Sequence, residues 1–241
     1  MGYLRPDKKT AQSEMREQIA DIVGGFIASL PLQQPVLQAI AGQNSTLLEV
    51  ADALHLRAGM QVLVDGTPAK VLSVSAGQIT AEGVFQLAES VVIPPPQFLH
   101  GTPISVNIEL GTLPSAAKFP AVYLYEILRD RQIFADSSPI ERECEIILFF
   151  LDNADPAWLT DAHYDNTVRR MDALAQHFLS QVLLSPLFAG ELIEYADTIP
   201  HADFGRFAQE RGHIRTIFDE MLSGVELRLK LPIKKKTNCI E

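Results

Sequence analysis

Cysteine is scarce: two residues in 241, Cys144 and Cys239, far apart. Such a pair builds no disulfide framework and no paired-thiol metal site. Cys144 lies in an apolar run and Cys239 in a polar tail. The reading is a buried thiol and a tail thiol suited to a reducing cytoplasm, with a bridge between them left open. Positive charge is also in deficit, 20 Lys and Arg against 30 Asp and Glu, for a net charge of −10. That argues against a general nucleic-acid binder, which needs a basic face to displace counterions. The first residues carry no apolar h-region, so no signal peptide is expected. No run approaches the ~18 apolar residues that span a bilayer. The phosphate-cradling G-x-x-x-x-G-K and the G-x-S-x-G elbow are missing, as are H-E-x-x-H and C-x-x-C. No internal repeat or low-complexity segment is present.

What the chain does have is apolar mass, 47% hydrophobic residues, enough for a sizeable core. Its organising stretch runs from Glu141 to Leu184. Ile146-Ile147-Leu148-Phe149-Phe150-Leu151 is an unbroken apolar run between Pro139 and Asp152-Asn153, which predicts a central strand covered on both faces. After it, Thr160-Asp161 starts a long amphipathic segment to Leu184. Tyr164, Val168, Met171, Ala175, Phe178 and Val182 recur there at helical spacing.

In chain order, residues 1–12 read as a solvated tail. A helix follows from Ser13, with Met15, Ile19, Ile22, Val23, Phe26 and Leu30 on one stripe and Pro31 at its end. Val36–Ile40 is a short apolar segment. Residues 46–96 change texture: Met60–Val64, Ala69–Ser75, Gln78–Glu82 and Val91–Ile93 read as short strands. Asp65-Gly66 and Ala76-Gly77 are tight turns between them. They predict an inserted small SH3-like β-barrel bounded by Pro94-Pro95-Pro96. Ile104–Leu110 and Phe119–Ile127 read as strands, with an arm at 129–139, and short strands are expected near Ile193–Tyr195 and Thr216–Phe218. In Val225–Ile233 the apolar residues Val225, Leu227, Leu229, Leu231 and Ile233 alternate with Glu226, Arg228 and Lys230. That pattern predicts a strand with one wet or partner-facing side. The fold class is therefore α+β: a mainly antiparallel sheet packed against a long helix and an N-terminal helix, with the barrel inserted. The larger domain comprises 13–45 and 97–241, and the barrel 46–96.

Candidates for chemistry are few, and each has a plain structural alternative. Asp152, Asp155, Asp161, His163 and Asp165 could offer hard oxygen ligands to Mg²⁺ or Ca²⁺, or they could be turn and helix-start residues. His163, His201 and Asp203 could pair, or be surface histidines. Cys144 could be a nucleophile, but an apolar strand disfavours its thiolate. Asp152, Glu226 and Lys230 resemble the acid-x-lysine end of a metal-dependent nuclease or hydrolase site, or simply a solvated strand face. Lys234-Lys235-Lys236 reads as a tail or an edge guard. No cofactor and no metal site is expected, and the chain is not read as an enzyme.

The order of elements is similar to that of the tail-terminator and tail-completion proteins of long-tailed bacteriophages and prophages. The residues that carry the resemblance are Lys118-Phe119-Pro120-Ala121-Val122-Tyr123-Leu124 and Phe149-Phe150-Leu151-Asp152-Asn153-Ala154-Asp155. Trp158-Leu159-Thr160, His163-Tyr164 and Gly224-Val225-Glu226-Leu227 add to it. The likeness covers about 14–30 and 104–233; the barrel has no counterpart in the simplest members. It implies a virion structural protein, assembled in the host cytoplasm, that forms a homo-oligomeric ring, usually six-fold. Such a ring ends the tail tube and joins it to the head connector in the neck. Its implied partners are further copies of itself, the tail tube and the connector proteins. DNA would only pass through the channel, and no membrane is involved. Arg129, Arg131, Glu226, Arg228 and Lys230 are the residues expected at contacts with subunits or partners. A rival reading is the nuclease or hydrolase named above; a third is a binding module that reads its ligand through the barrel.

Overall fold

A computed structural model describes residues 11–30, 32–114, 118–134, 140–208 and 214–234. The tail at 1–10, Pro31, residues 135–139 of the expected arm, Lys235-Lys236 and Cys239 lie outside them. No helix among the described residues is long and apolar enough to cross a membrane. The fold is mixed α+β, with mostly antiparallel sheets, one closed barrel and few helices.

The first helix, α1, spans Ala11–Ala28. Ile19, Val23, Phe26 and Ile27 are buried along it, at the expected helical spacing. The six strands that follow close into a barrel: β1 (Leu32–Ala41), β2 (Ser45–Val50), β3 (Gln61–Val64), β4 (Thr67–Ser75), β5 (Gln78–Glu82) and β6 (Ser90–Ile93). Their order around the barrel is β1-β2-β5-β4-β3-β6. The barrel therefore begins at Leu32, not at residue 46. The segment Val36–Ile40, assigned from sequence to the larger domain, is part of its first strand. Pro35 hid the strand, and its pairing with Ser90 accommodates the proline. The β3–β4 turn is the expected Asp65-Gly66, with φ of 48° and 80°. Both values are left-handed, as a two-residue hairpin turn of the primed type requires. Inside the barrel the buried Thr46 hydroxyl donates to Gly83 O (2.9 Å) and accepts from Phe85 N–H (2.8 Å).

The remaining chain builds a five-stranded sheet. Its strands are β7 (Gln97–His100), β8 (Ala121–Gln132), β9 (Ile140–Asn153), β10 (Ala196–Phe204) and β13 (Leu222–Lys234), in the order β10-β13-β9-β8-β7. β11 (Arg206–Ala208) and β12 (Ile214–Thr216) form a separate two-stranded ribbon. The pairings within the five-stranded sheet are antiparallel except β7–β8, which is parallel and crosses over through helix α2 (Pro103–Thr112). The expected strand at Ile104–Leu110 is thus a helix. Apolar residues at 104, 106, 108 and 110 suit a strand of period two, but they also form two i,i+4 pairs. Val106 and Leu110 are buried while Ile104 and Ile108 face out. Thr102 caps this helix by accepting from Ser105 N–H, with Pro103 in the first turn.

From Thr160 to Leu184 the chain is helical in three contiguous parts rather than one uniform helix. These are α3 (Thr160–His163), a π turn (Tyr164–Val168) and α4 (Arg169–Leu184). Met171, Ala175, Phe178 and Val182 are buried as expected, whereas Tyr164 is exposed, because the wider π turn shifts the helical phase there. Two other expectations shift along the chain. The strand expected near Ile193–Tyr195 forms at Ala196–Phe204, and the one near Thr216–Phe218 ends at Thr216.

The sheet divides two apolar clusters. Ile146, Leu148 and Phe150 of β9, with the odd residues of β13, join α1, α4 and the barrel interior in one cluster. Phe26, Phe150, Phe178 and Phe188 meet there, with ring centroids 5.0–5.8 Å apart; each such pair is worth ~0.5–1.5 kcal/mol beyond its buried area. On the opposite face, Ile147, Phe149 and Leu151 pack under α2 with Phe218. β9 is covered on both sides, as its apolar run predicts.

Candidate functional site

All five residues expected at contacts lie on one face of the sheet, the face of Ile147 and Phe149. Strand pairing puts Arg129 opposite Glu145 and Glu145 opposite Lys230. The next row places Arg131 opposite Glu143. Two rows the other way, Phe149 faces Glu226. Side chains in register on one face touch across strands, so the uncovered half of this face is a ladder of alternating charge. Lys230 Nζ sits 3.2 Å from Glu143 and 2.9 Å from Glu194. The Tyr195 hydroxyl donates to Glu145 (2.8 Å). Arg129 and Arg131 are exposed, and among the described residues neither makes an ion pair.

The last strand departs from the half-wet strand expected from alternation. Glu226 is buried, its carboxylate taken up by His201 Nε2 at 2.8 Å and by Arg228. It is therefore a support for its neighbours rather than a residue presented to a partner. Burying a carboxylate is expensive unless it is paired and hydrogen-bonded, and the Arg228 guanidinium with the His201 ring nitrogen meets that need. Arg228 stays about half exposed, 48% of its side chain, and Lys230 largely covered at 17%.

Where the ladder meets the covered half of the face, an aromatic cleft of about 290 Å³ opens. Tyr125, Ile147, Phe149, Phe204 and Phe218 line it, with the His201–Glu226–Arg228 group at its rim. Tyr125 shares the side of Tyr123 by strand alternation, and the β8 bulge between Leu124 and Glu126 shifts the phase of the residues that follow. The Phe149 ring centroid lies 4.4 Å from that of Phe204, tilted, and 5.6 Å from those of Tyr125 and His201, edge to face. The Tyr123 hydroxyl is anchored on Gly101 O at 2.9 Å, and burial raises its pKa. Sequence reading missed this cleft. Its walls come from β8, β9, β10 and the segment after β12, which are far apart in the chain.

The rival acid–lysine set does not assemble. Asp152 belongs to the even-numbered face of β9 and Glu226 to the other, so the sheet separates them. Asp152 is instead the centre of a buried ion cluster, with Arg57 Nε and Arg170 Nη2 each 3.3 Å from its Oδ2. Its Oδ1 accepts from Asn153 N–H at 2.7 Å. Burial pushes the Asp152 carboxyl up, and the two guanidiniums pull against that shift. Two other acids of the proposed cation set have local partners, Asp155 accepting from Ala157 N–H (2.8 Å) and Asp165 pairing with Arg169 (3.8 Å), while Asp161 stands in the first turn of α3. Among the described residues no group of three His, Cys, Asp or Glu side chains converges as metal ligands would.

His163 and His201 also fall on opposite faces. His163 Nδ1 lies 2.8 Å from the buried Ser223 hydroxyl, which donates to Ala202 O. With its proton committed to that carbonyl, the hydroxyl accepts from the imidazole, the reverse of what nucleophile activation needs. Cys144 is buried, and desolvation with nearby Asp130 pushes its thiol up to about 12, so no thiolate is available.

Two further histidines are partly buried: His55, which feels Arg170 of the Asp152 cluster, and His177, which acts on His55. Burial lowers both; Asp52 opposes the shift at His55, while His177 and Arg170 add to it. Both imidazoles therefore stay neutral in the fold at pH values where the unfolded chain protonates, near 6.5. Between the lowered native values and about 6.5 the unfolded state binds more protons, so stability present above that window is lost as pH falls through it. The urea midpoint should drop between pH 7.5 and 5.5, and a His55→Gln/His177→Gln variant should show a smaller drop. An equal drop in that variant would assign the effect elsewhere.

Comparison with protein-family models, with curated proteins and with solved structures finds no match for the chain.

Proposed function

We propose that this chain is a non-enzymatic assembly subunit that joins copies of itself head to tail, as a ring in the tail or neck of a tailed phage or prophage. In that role it ends the tail tube and meets the head connector. The barrel of Leu32–Ile93 is SH3-like in this reading and stands as an added module. The observation that carries the proposal is the sheet's two free margins. β7 pairs only with residues 121–124 of β8, so the rest of β8's outer edge has no partner strand among the described residues, and neither does the outer edge of β10. Unpaired sheet edges are templates for another chain. The exposed charges on the two margins differ in sign, Asp130 on the first being taken up by Arg142. Arg129 and Arg131 stand at the first; exposed Glu191, Glu194, Asp197 and Asp203 stand at or beside the second. Unlike margins on opposite sides of one sheet suit a heterologous contact, which closes into a ring when the rotation closes.

The test is a charge swap read by light scattering and native mass spectrometry. The wild type should run as a multiple of its 26.6 kDa mass. Arg129→Glu/Arg131→Glu should release monomer, as should Asp197→Lys/Asp203→Lys, and mixing the two variants should restore both junctions and rebuild the oligomer from alternating copies. Particles assembled without the protein should carry tubes of abnormal length. A wild type that stays monomeric at the highest concentration it tolerates would sink the reading.

A further inference from the structure

Positive charge is in deficit over the whole chain, net −10, yet it collects at one place in the seam between barrel and sheet. A pocket of about 370 Å³ lies there. The barrel side supplies Arg57, from the loop after β2, with Gln61 of β3 and Lys70 of β4. The sheet side supplies Lys118, ahead of β8, Asn153 at the end of β9, and Glu220, ahead of β13. The acids present do not use up the cations. Glu220 offsets Lys118, with which it pairs. The buried Asp152 is one carboxylate shared by Arg57 and Arg170, so it offsets only one of them. Lys70 is exposed and makes no ion pair among the described residues. Two positive charges are left over, one across the guanidinium pair and one on Lys70. Donors are left over as well. Arg57 Nε is buried and lies 3.3 Å from Asp152 Oδ2 without the geometry of a hydrogen bond. Among the described residues, the one hydrogen bond of this guanidinium is a long one, from Nη2 to Phe119 O at 3.5 Å.

We propose that this pocket binds a phosphoryl group, held across the seam by Arg57 and Lys70 with Lys118 as a third contact. A phosphoryl group carries ~1.5–2 negative charges near pH 7, which matches the surplus; a carboxylate carries one. Its oxygens point to the corners of a tetrahedron, which suits cations that arrive from three separate segments. A guanidinium with free N–H groups takes such an oxyanion bidentately. The Asn153 and Gln61 amides can donate to the remaining oxygens. Glu220 is the competitor already in place, and an incoming phosphoryl group takes Lys118 from it. Across Phe119 lies an apolar hollow of about 300 Å³, walled by Met60, Ile93 and Pro95. The phosphoryl group can therefore arrive free or attached to a small body that rests there. The site stands independently of the assembly reading. Its occupant would tie the barrel to the sheet by contacts that neither makes alone.

The test is binding to the full chain, followed by calorimetry and thermal melts, with inorganic phosphate, with a nucleoside monophosphate and with chloride at equal ionic strength. Inorganic phosphate should raise the unfolding midpoint in a saturable way that chloride does not, since a ligand of the folded state stabilises it by mass action. Lys70→Gln changes an exposed residue and should weaken phosphate binding by about tenfold. Glu220→Gln should strengthen it, because a like charge leaves the pocket and Lys118 is released; a purely structural ion pair would give no such gain. Tighter binding of the nucleoside monophosphate than of inorganic phosphate means that the group comes with a body in the apolar hollow. Equal or weaker binding means a free ion, and both results uphold the site. Phosphate that protects no better than chloride overturns the proposal, as does wild-type affinity in Lys70→Gln. Neither of those failures touches the assembly reading, which is judged by oligomeric state.

Discussion

Replacing Asp152 with alanine should lower stability by about 3–5 kcal/mol, the usual effect of breaking a buried ion pair from one side. At ~2–4 °C per kcal/mol for a chain of this size, the midpoint of thermal unfolding should fall by roughly 6–20 °C. The Asp152 side chain is fully covered, and Arg170 is only 11% exposed. Removing the carboxylate leaves Arg57 and Arg170 close together with no negative charge between them. It also removes the acceptor for Asn153 N–H. The cluster ties three parts of the molecule: Arg57 follows the barrel's second strand, Arg170 opens α4 and Asp152 ends β9. A decisive companion is Asp152→Leu/Arg170→Met, which takes out an acid and a base together. It should recover part of the loss, because a matched apolar pair carries no desolvation penalty. Circular dichroism melts of the three proteins are sufficient. An Asp152→Ala variant within about 1 kcal/mol of wild type would mean that the cluster contributes little to holding barrel, helix and sheet together.

Gly224→Ala should be worse still, destabilising by more than about 4 kcal/mol and leaving the protein insoluble or unfolded on expression. Gly224 sits in β13 opposite Leu151 of β9. A Cβ built there lies 1.9 Å from Phe150 O, 2.9 Å from Phe150 C and 3.1 Å from Leu151 Cα. All three are backbone atoms of the central strand, which is paired on both edges and covered on both faces. No flexible side chain can swing away, so relief requires parting β9 from β13. Gly111 is the control. A Cβ there meets nothing within 4 Å, and it lies in α2; Gly111→Ala should be neutral or stabilise by about 0.5–1 kcal/mol. If Gly224→Ala folded with wild-type stability, the close approach of β13 to β9 at that point would be wrong.

Much of the fold can be read from local patterns, and the misreadings have local causes. The apolar run at 146–151, the Asp65-Gly66 turn and the alternation of 225–233 each allow one structural answer, because period and turn chemistry agree. Ile104–Leu110 allows two, since the same spacing serves a strand and two faces of a helix. β1 was hidden by Pro35, a residue that only an edge or a special pairing tolerates. The candidate site was half legible. Alternation places Glu226, Arg228 and Lys230 on one side of their strand, but nothing in the local sequence says that Arg129 and Arg131 face the same way. That depends on register and on the β8 bulges at Leu124/Glu126 and Ile127/Arg129.

By itself, then, the sequence determined the central strand, the barrel's tight turns, the face that most apolar residues of the central and last strands take and the absence of a familiar catalytic signature, because these follow from spacing along a few residues. Tertiary structure alone decided that Asp152 and Glu226 lie on opposite sides of the sheet, that Glu226 is buried between His201 and Arg228, and that aromatic residues from four separate segments meet in one cleft. Those outcomes depend on which strands become neighbours and in what register, and a shift of one residue in that register sends every side chain to the other face.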